Sequence, residues 1–215
     1  MPTNQLLTCK DSYYVSIPTY SRHPKPATGE DGFFAQTLST TLTIPTVLTY
    51  RLKNLQSPLL SQPPQWPSPT AVAELIPVPG ADLVMLLNLA KPGICGHPDT
   101  AHGGVLATVI DEAMSLGVTL YAPEAGEGYT ISHGGTTAAG TAVAGSRIRS
   151  KMFTAQLDVR YKNPVSVPGR IEVRVKVLAK QGKKVWVRAQ VVQENAIMVD
   201  AMAFWLLTVP VKSIL

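Results

Sequence analysis

Hydrophobic side chains are densest between His102 and Tyr121. Apolar residues there fall on every side of a helical wheel, at Val105, Leu106, Val109, Ile110, Ala113, Met114, Leu116, Val118 and Leu120. A helix that is apolar all round is a buried helix. At about 17 residues, or roughly 26 Å, and interrupted by Asp111 and Glu112, it suits a protein core better than a membrane span.

Alternating apolar and polar residues predict strands after this helix. The candidate strands cover 153–165, 169–181 and 183–210, the last divided by a turn at Glu194 and Asn195. Their alternation indicates antiparallel strands with one buried face and one solvated face. Before the helix, 81–90 is predicted to be a buried strand and 91–100 a loop. Together these elements predict an α+β domain whose long central helix is wrapped by a curved antiparallel sheet.

Proline, serine and threonine are frequent early in the chain. Residues 1–69 are predicted to form a partly irregular N-terminal arm or linker, within which 32–52 docks as a short helix followed by extended chain. The domain is predicted at 70–215, with 122–150 as a long, glycine-rich, mobile loop. A length of 215 residues, 45% of them hydrophobic, suits one sizeable core with appendages.

Cysteine usage and the first residues bear on the compartment. Cys9 and Cys95 are the only cysteines in the sequence, so neither a disulfide framework nor a cysteine-rich zinc site is indicated, and we expect no metal. The N-terminus lacks a basic segment followed by an apolar one and contains Asp11. We therefore expect a cytoplasmic protein, with a mitochondrial location left open.

Positive charge is concentrated in one block. Residues 146–188 hold twelve Lys and Arg against only Asp158 and Glu172, within a chain of net charge +5. The block shows strand-like alternation without interleaved aromatic residues, so we expect no nucleic-acid partner. Two interpretations stay open, a solvated sheet face and a site for an anionic ligand.

A thin polar line interrupts the apolar helix. Its members fall at helical spacings of three, four and seven, at Thr108, Asp111, Glu112 and Ser115. Charges on a buried element are costly unless they are paired or used. The helix also begins with Gly103 and Gly104, which let another group approach the first N–H donors at the positive end of the helix dipole. Such an end can bind an oxyanion.

The acid and the donors are separated along the helix. Asp111 lies about 12 Å beyond Gly103 at 1.5 Å per residue, too far for both to serve one carbonyl within a single helix. Two antiparallel copies of the helix would bring them together. The sequence thus predicts a homodimer, or a dimer of dimers, with active sites shared between subunits.

One combination of motifs resembles a known family. It comprises His102-Gly103-Gly104, Asp111 nine positions after the histidine, and a strand that carries Thr154 and ends in Tyr161-Lys162-Asn163-Pro164. This combination resembles the hotdog-fold acyl-CoA thioesterases, most closely the phenylacetyl-CoA thioesterase branch, over about residues 81–208. The resemblance implies a hotdog fold, hydrolysis of an acyl-CoA or acyl-carrier thioester to a free acid, and no cofactor.

The resemblance also implies roles at the site. Asp111 would be the general base or nucleophile, and the N–H of Gly103 would stabilise the oxyanion. His102 would orient or polarise the thioester. Thr154, on the strand facing the partner helix, would position water or Asp111. Ser115, one turn past Asp111, is a second candidate for holding that water.

Further residues are expected to bind substrate. Gly104 would bind substrate beside Gly103. Arg147 and Arg149 would bind the CoA phosphates through their forked guanidinium groups, and Lys151 would bind them as a point charge. His97 is a candidate because several relatives have an amide side chain six residues before the histidine, where this chain has Gly96. Arg174 and Lys176 are expected on the polar face of the next strand.

Other interpretations remain open. Glu112 competes with Asp111 but points about 100° away on the helix, so only one of the two can face the site. His102 could only cap the helix, and Thr154 could be an ordinary strand residue. A non-catalytic acyl-CoA-binding hotdog module and a hotdog dehydratase are the alternative functions.

Overall fold

The predicted central helix is confirmed. In a computed structural model, which describes residues 12–58, 60, 62–66, 68, 72–122 and 151–208, helix α1 spans Gly103–Thr119. Its buried residues form one broad face, and the opposite face, with Thr108, Asp111 and Ser115, is only partly buried. Gly117 allows the closest approach to the sheet, since a Cβ added there would be 2.7 Å from Cγ1 of Val175.

The strands form one large sheet and one small one. In chain order they are β1 Tyr14–Ile17, β2 Thr46–Leu52, β3 Leu83–Leu89, β4 Cys95–His97, β5 Thr100–Ala101, β6 Lys151–Tyr161, β7 Gly169–Gln181, β8 Lys184–Gln193 and β9 Ala196–Thr208. The large sheet has 7 strands in the order β1-β2-β3-β7-β8-β9-β6, every neighbouring pair antiparallel. β4 and β5 form a separate hairpin that leads into α1.

The core lies between α1 and the inner face of this sheet. The helix packs mainly against β7 and β8. Alternate residues of the strands point toward it and are almost fully buried, among them Met85, Val173, Val187 and Ala201. The predicted α+β architecture, a long helix held in a curved antiparallel sheet, is confirmed.

The turn between β8 and β9 lies where the sequence predicts it. Glu194 and Asn195 have φ values of 51° and 66°. Two consecutive left-handed residues are typical of a tight hairpin turn, whose twist matches that of the flanking strands. The prediction of two strands within 183–210 is therefore confirmed.

The segment before β3 contributes to both faces of the sheet. The predicted short helix and extended chain at 32–52 are confirmed as a π-helical turn, Phe33–Thr37, followed by β2. Phe34 and Ile44 enter the main core. The Arg22 guanidinium binds this segment by donating to the carbonyl oxygens of Phe34 and Ile44 at 3.1 and 2.6 Å. The sequence predicts the extended chain that forms β2 but gives no sign of β1.

The outer face of the sheet is covered in part by the chain that precedes β3. Ile76 and Ala81 pack there with Tyr14 and Val84 in a second, smaller apolar cluster. The side chain of Gln190 on β8 binds this covering segment, since it accepts from the Ile76 N–H at 2.7 Å and donates to the Glu74 carbonyl at 2.8 Å. The polar face of the central strands is thus not a solvated surface.

Candidate active site

The N-terminus of α1 begins with a histidine cap. Nδ1 of His102 accepts a hydrogen bond from the N–H of Gly104 at 3.0 Å, and the His102 N–H donates to the Ile94 carbonyl at 2.8 Å. The capping role that the sequence left open for His102 is present in the structure. Because Nδ1 is the acceptor, the neutral imidazole carries its proton on Nε2.

Gly103 presents the first N–H of the helix. In the described part of the chain, this N–H donates to no backbone acceptor, as is usual in the first turn of a helix. A Cβ added at Gly103 would be 3.3 Å from Cζ of Tyr161. The aromatic ring therefore occupies the space that a side chain at this position would need.

The Asp111 carboxylate lies near the middle of α1 and contacts β6. The Thr154 hydroxyl donates to Oδ1 of Asp111 at 2.8 Å within the same chain, whereas the sequence suggested that the strand of Thr154 faces a partner helix. Burial raises the pKa of Asp111 above its ordinary value, and the hydrogen bond from Thr154 partly offsets this. A half-buried carboxylate with few other partners is a competent proton acceptor.

A bulge in β6 aims Thr154 at the helix. Thr154 pairs with Trp205 and Gln156 pairs with Phe204, so Ala155 is an extra residue in β6. Without a bulge, strict alternation back from Leu157 would place Ala155 on the helix-facing side. Bulges near functional sites often redirect a side chain in this way.

Glu112 faces elsewhere. Burial raises the pKa of its carboxyl. The nearby Asp31 and Asp111 also raise this pKa, whereas the Ser21 hydroxyl and the Lys25 ammonium lower it. These neighbours, apart from Asp111, belong to the N-terminal segment. The structure therefore separates the two adjacent acids, with Asp111 toward β6 and Glu112 beneath the arm.

The other polar residues of the helix bind its own backbone. The Ser115 hydroxyl donates to the Glu112 carbonyl at 2.7 Å, and the Thr108 hydroxyl donates to the Gly104 carbonyl at 3.0 Å. Both oxygens keep lone pairs to accept a further bond. Ser115 can thus accept a hydrogen bond from water but does not offer its proton freely.

The hairpin before the helix places Gly96 against His102. A Cβ at Gly96 would be 3.0 Å from the His102 Cα, so a larger residue would force the histidine to shift. His97, the next residue, is exposed at the end of β4 and pairs with Thr100. The structure shows no contact between His97 and Asp111.

The described residues of the basic block do not form one exposed surface. Arg147 and Arg149 lie outside the described residues, as does the predicted loop up to residue 150, and of Lys151 only the backbone is described. The expectation that Arg174 is solvent-exposed is wrong. Its side chain is 6% exposed and donates to Glu172 at 3.1 Å and to the Ile76 carbonyl at 2.8 Å, because residues 72–81 cover this part of the sheet.

Lys176 is also engaged. Its ammonium donates to Oδ1 of Asp82 at 2.6 Å, and the other carboxylate oxygen of Asp82 accepts from the Val177 N–H at 2.8 Å. The Asp82 side chain is fully buried, whereas that of Lys176 is 37% exposed. Lys176 thus compensates a buried charge at the beginning of β3.

Tyr161 is a site residue to which the sequence reasoning gave no role. Its hydroxyl donates to the Gly103 carbonyl at 2.8 Å. In the sequence, Tyr161 stands out only as the first residue of the motif that ends the strand. Its position opposite a glycine at the start of the helix cannot be read from spacing, because β6 and α1 are joined by a long connection.

Two further observations concern what the described residues lack. No helix among them is both long and apolar enough to cross a membrane. No three histidine, cysteine, aspartate or glutamate side chains among them cluster in a way that would hold a metal ion.

A long helix in a curved antiparallel sheet, with an acid on the helix and glycines at its start, defines a hotdog-fold protein. Residues 99–198 match the model of the thioesterase superfamily. The matched region contains α1, the strands β6, β7 and β8, and the beginning of β9. A search of curated proteins finds no match.

Solved structures with a similar fold include three bacterial proteins. A Bacillus halodurans protein with CoA is 14% identical, with a TM-score of 0.43 over 58% of this chain and 66% of that one. A hypothetical thioesterase with coenzyme A from Streptococcus pneumoniae is 13% identical, with a TM-score of 0.44 over 59% and 77%. The E. coli PaaI protein, from the phenylacetic acid degradation operon, is 8% identical, with a TM-score of 0.44 over 59% and 72%.

The contact between Thr154 and Asp111 leads to a pH prediction. A hydrogen bond from the Thr154 hydroxyl favours the ionised carboxylate, so the pKa of Asp111 should rise further in Thr154→Val. A general base is active when ionised, and the acidic limb of kcat/KM should therefore move to higher pH in this variant. Rates measured across pH for wild type and variant check this.

Thr119→Val is the matched control, since the Thr119 hydroxyl donates to the Leu116 carbonyl at the far end of the helix, away from Asp111. Its acidic limb should coincide with that of the wild type. An unmoved limb in Thr154→Val would show that the hydrogen bond does not hold a catalytic base in its charged form.

Proposed function

We propose that this protein hydrolyses an acyl-CoA thioester, or an acyl group on a carrier protein, to a free carboxylic acid. The observation that carries the proposal is the half-buried Asp111 carboxylate, held by Thr154 on the helix whose first turn presents the Gly103 N–H. The match of residues 99–198 to the thioesterase superfamily model supports thioester chemistry in general. The acyl group is not specified by these observations.

The proposed reaction uses Asp111 as a general base. The carboxylate takes a proton from water as the water oxygen attacks the thioester carbonyl, and the Gly103 N–H stabilises the oxyanion that forms. The intermediate then collapses, the C–S bond breaks, and the thiolate leaves with the proton returned by Asp111. In the alternative covalent route, Asp111 attacks the carbonyl itself, the C–S bond breaks and the thiolate leaves, which gives a mixed anhydride. Water then cleaves the anhydride to release the acid and restore the Asp111 carboxylate, and the proton from water goes to the thiolate.

His102 and the remaining candidates support this centre. With Nδ1 occupied by the Gly104 N–H, the Nε2–H of His102 is the ring donor left to orient the thioester. Ser115 accepts a hydrogen bond from the attacking water. Arg147, Arg149 and Lys151 remain our candidates for the CoA phosphates. We place the reaction in the cytoplasm, where a free thiol such as Cys95 stays reduced.

A hydrolysis screen tests the function. Purified protein is offered short, aromatic and long acyl-CoAs, together with the matching acyl-pantetheines, and free thiol release is measured. Turnover on at least one class supports the proposal. Binding of acyl-CoA without release would favour the non-catalytic module, and formation of an enoyl product from a hydroxyacyl-CoA would favour the dehydratase.

We also propose that the active unit is a homodimer, or a dimer of dimers, with shared sites. Gly103 and Asp111 are separated by about 12 Å along one helix, so the donor and the base of one site must come from two chains. β6 is the last strand of the sheet order, and its residues 153–156 are exposed. An unpaired strand edge is a template for pairing with a second chain.

Complementation tests the shared site. Mixing Asp111→Asn chains with Gly103→Pro chains should restore about a quarter of wild-type activity, because half of the random dimers are mixed and each has one intact site. Proline suits the first position of a helix and removes the N–H. Gly103→Ala adds a Cβ against the Tyr161 ring but keeps the N–H, so it measures the steric effect that proline shares and separates it from loss of the N–H.

Light scattering at the assay concentration gives the mass of the active species and can contradict the shared site. An active monomer would rule out sites shared between chains. A mixture that exchanges subunits without regaining activity would do the same.

A further inference from the structure

The peptide unit between Gly103 and Gly104 is bound at both ends. Its carbonyl oxygen accepts from the Tyr161 hydroxyl at 2.8 Å, and its N–H donates to Nδ1 of His102 at 3.0 Å. The two partners come from different parts of the fold, β6 and the residue before the helix. Three groups thus form one chain of hydrogen bonds, running from Tyr161 through the peptide to His102.

The Tyr161 side chain makes a second contact at the same place. Atoms Cζ, Cε1 and the hydroxyl oxygen lie 3.3–3.4 Å from where a Cβ of Gly103 would be. The ring thus packs against the Gly103 Cα while the hydroxyl holds its carbonyl. Gly103 is fixed by packing and by a hydrogen bond from a single side chain.

The backbone that carries Tyr161 is itself anchored. Tyr161 ends β6 opposite Val199, and the next two N–H groups, of Lys162 and Asn163, both donate to the Met198 carbonyl at 2.8 and 3.1 Å. The strand therefore ends against β9 at a defined point. A tyrosine that is 53% exposed still holds a fixed position for its hydroxyl.

We propose that Tyr161 is a positioning residue, which fixes the Gly103 N–H and the Nε2–H tautomer of His102 through the peptide unit between Gly103 and Gly104. This role rests on the proposed thioester hydrolysis, in which those two donors face the thioester. A bond donated to a carbonyl polarises the peptide and strengthens the bond that its N–H donates. Tyr161 thereby favours the tautomer in which Nδ1 accepts.

The experiment uses Tyr161→Phe, which keeps the ring against Gly103 and removes only the hydroxyl. We expect kcat on the best acyl-CoA to fall by about tenfold, the usual effect of one hydrogen bond, while KM stays unchanged. Tyr13→Phe is the matched control, because Tyr13 is 52% exposed and lies outside the site. Its kcat should equal that of the wild type.

A second readout needs no substrate. Nitrogen NMR of the imidazole, assigned to His102 with a His102→Asn variant, reports which ring nitrogen carries the proton. Wild type should show the Nε2–H tautomer. Tyr161→Phe should show a larger share of Nδ1–H, and faster exchange of the Gly104 amide proton.

Four outcomes decide whether Tyr161 has this role. Wild-type kcat in Tyr161→Phe overturns the positioning role, and so does a His102 spectrum identical to that of the wild type. A wild-type protein that hydrolyses no thioester overturns the proposed function, and with it any part of Tyr161 in catalysis, even where the tautomer shifts. A reduced kcat at unchanged KM together with a shifted tautomer supports the assignment.

Discussion

Replacing Asp111 with asparagine is expected to lower kcat for thioester hydrolysis by about 100-fold or more, the lower range for loss of a general base. Asparagine has the same shape, and its oxygen still accepts the Thr154 hydrogen bond that Oδ1 of Asp111 accepts at 2.8 Å. The variant should therefore fold normally and bind substrate. Steady-state kinetics and a thermal melt on the same preparation check both statements.

The neighbouring acid supplies the control. Glu112 lies beneath the N-terminal segment rather than toward β6, and burial raises the pKa of its carboxyl. Glu112→Gln removes a buried carboxylate that is costly to ionise, so this variant should keep activity and lose no stability. If Glu112→Gln loses activity while Asp111→Asn keeps it, Glu112 rather than Asp111 is the general base.

The fold could be predicted because its main elements carry strong local patterns. A helix with a broad apolar face packs against the inner face of a sheet, and the observed helix Gly103–Thr119 lies within the apolar stretch 102–121. The strand at Gly169–Gln181 matches its predicted range because alternation of β-branched and charged residues is unambiguous there. The turn at Glu194 and Asn195 is indicated by Asn195, a residue type that tolerates positive φ, whereas Glu194 has no such preference.

The site was predicted less completely, for two physical reasons. The extra residue at Ala155 changes which side chain of β6 faces the helix, and a bulge leaves no reliable mark on the pattern of alternation. The contact of Tyr161 with Gly103 joins residues 58 positions apart in the sequence. Such contacts depend on how the strand and helix cross, which periodicity does not encode.

The outer face of the sheet shows a different limit of prediction from the sequence. Alternation identifies two faces of a strand but does not say what covers the polar one. Glu172 and Arg174 form an ion pair there, and Ile76 supplies a carbonyl acceptor from a segment almost 100 positions earlier. Proline-rich chain with no periodicity gives no sign that it packs across a sheet, and the charged residues therefore looked solvated.

The second large effect is expected at the buried ion pair between Arg174 and Glu172. Arg174→Met keeps much of the side-chain volume but leaves the buried Glu172 carboxylate without its cation and the Ile76 carbonyl without its donor. Removing one partner of a buried pair typically costs about 3–5 kcal/mol. We therefore expect the free energy of unfolding in urea to fall by this amount, while KM for acyl-CoA stays unchanged in the protein that remains folded.

Two further variants make the measurement specific to the buried pair. The double variant Arg174→Met/Glu172→Met should recover much of the lost stability, because it removes both charges and leaves apolar side chains in their place. Lys184→Met removes an exposed charge from the same basic block and should change the unfolding free energy little. If Arg174→Met unfolds at the wild-type urea concentration and raises KM for acyl-CoA but not for acyl-pantetheine, then Arg174 binds the nucleotide. In that case residues 72–81 do not shield it in solution, and the anionic-ligand interpretation of the basic block extends to β7.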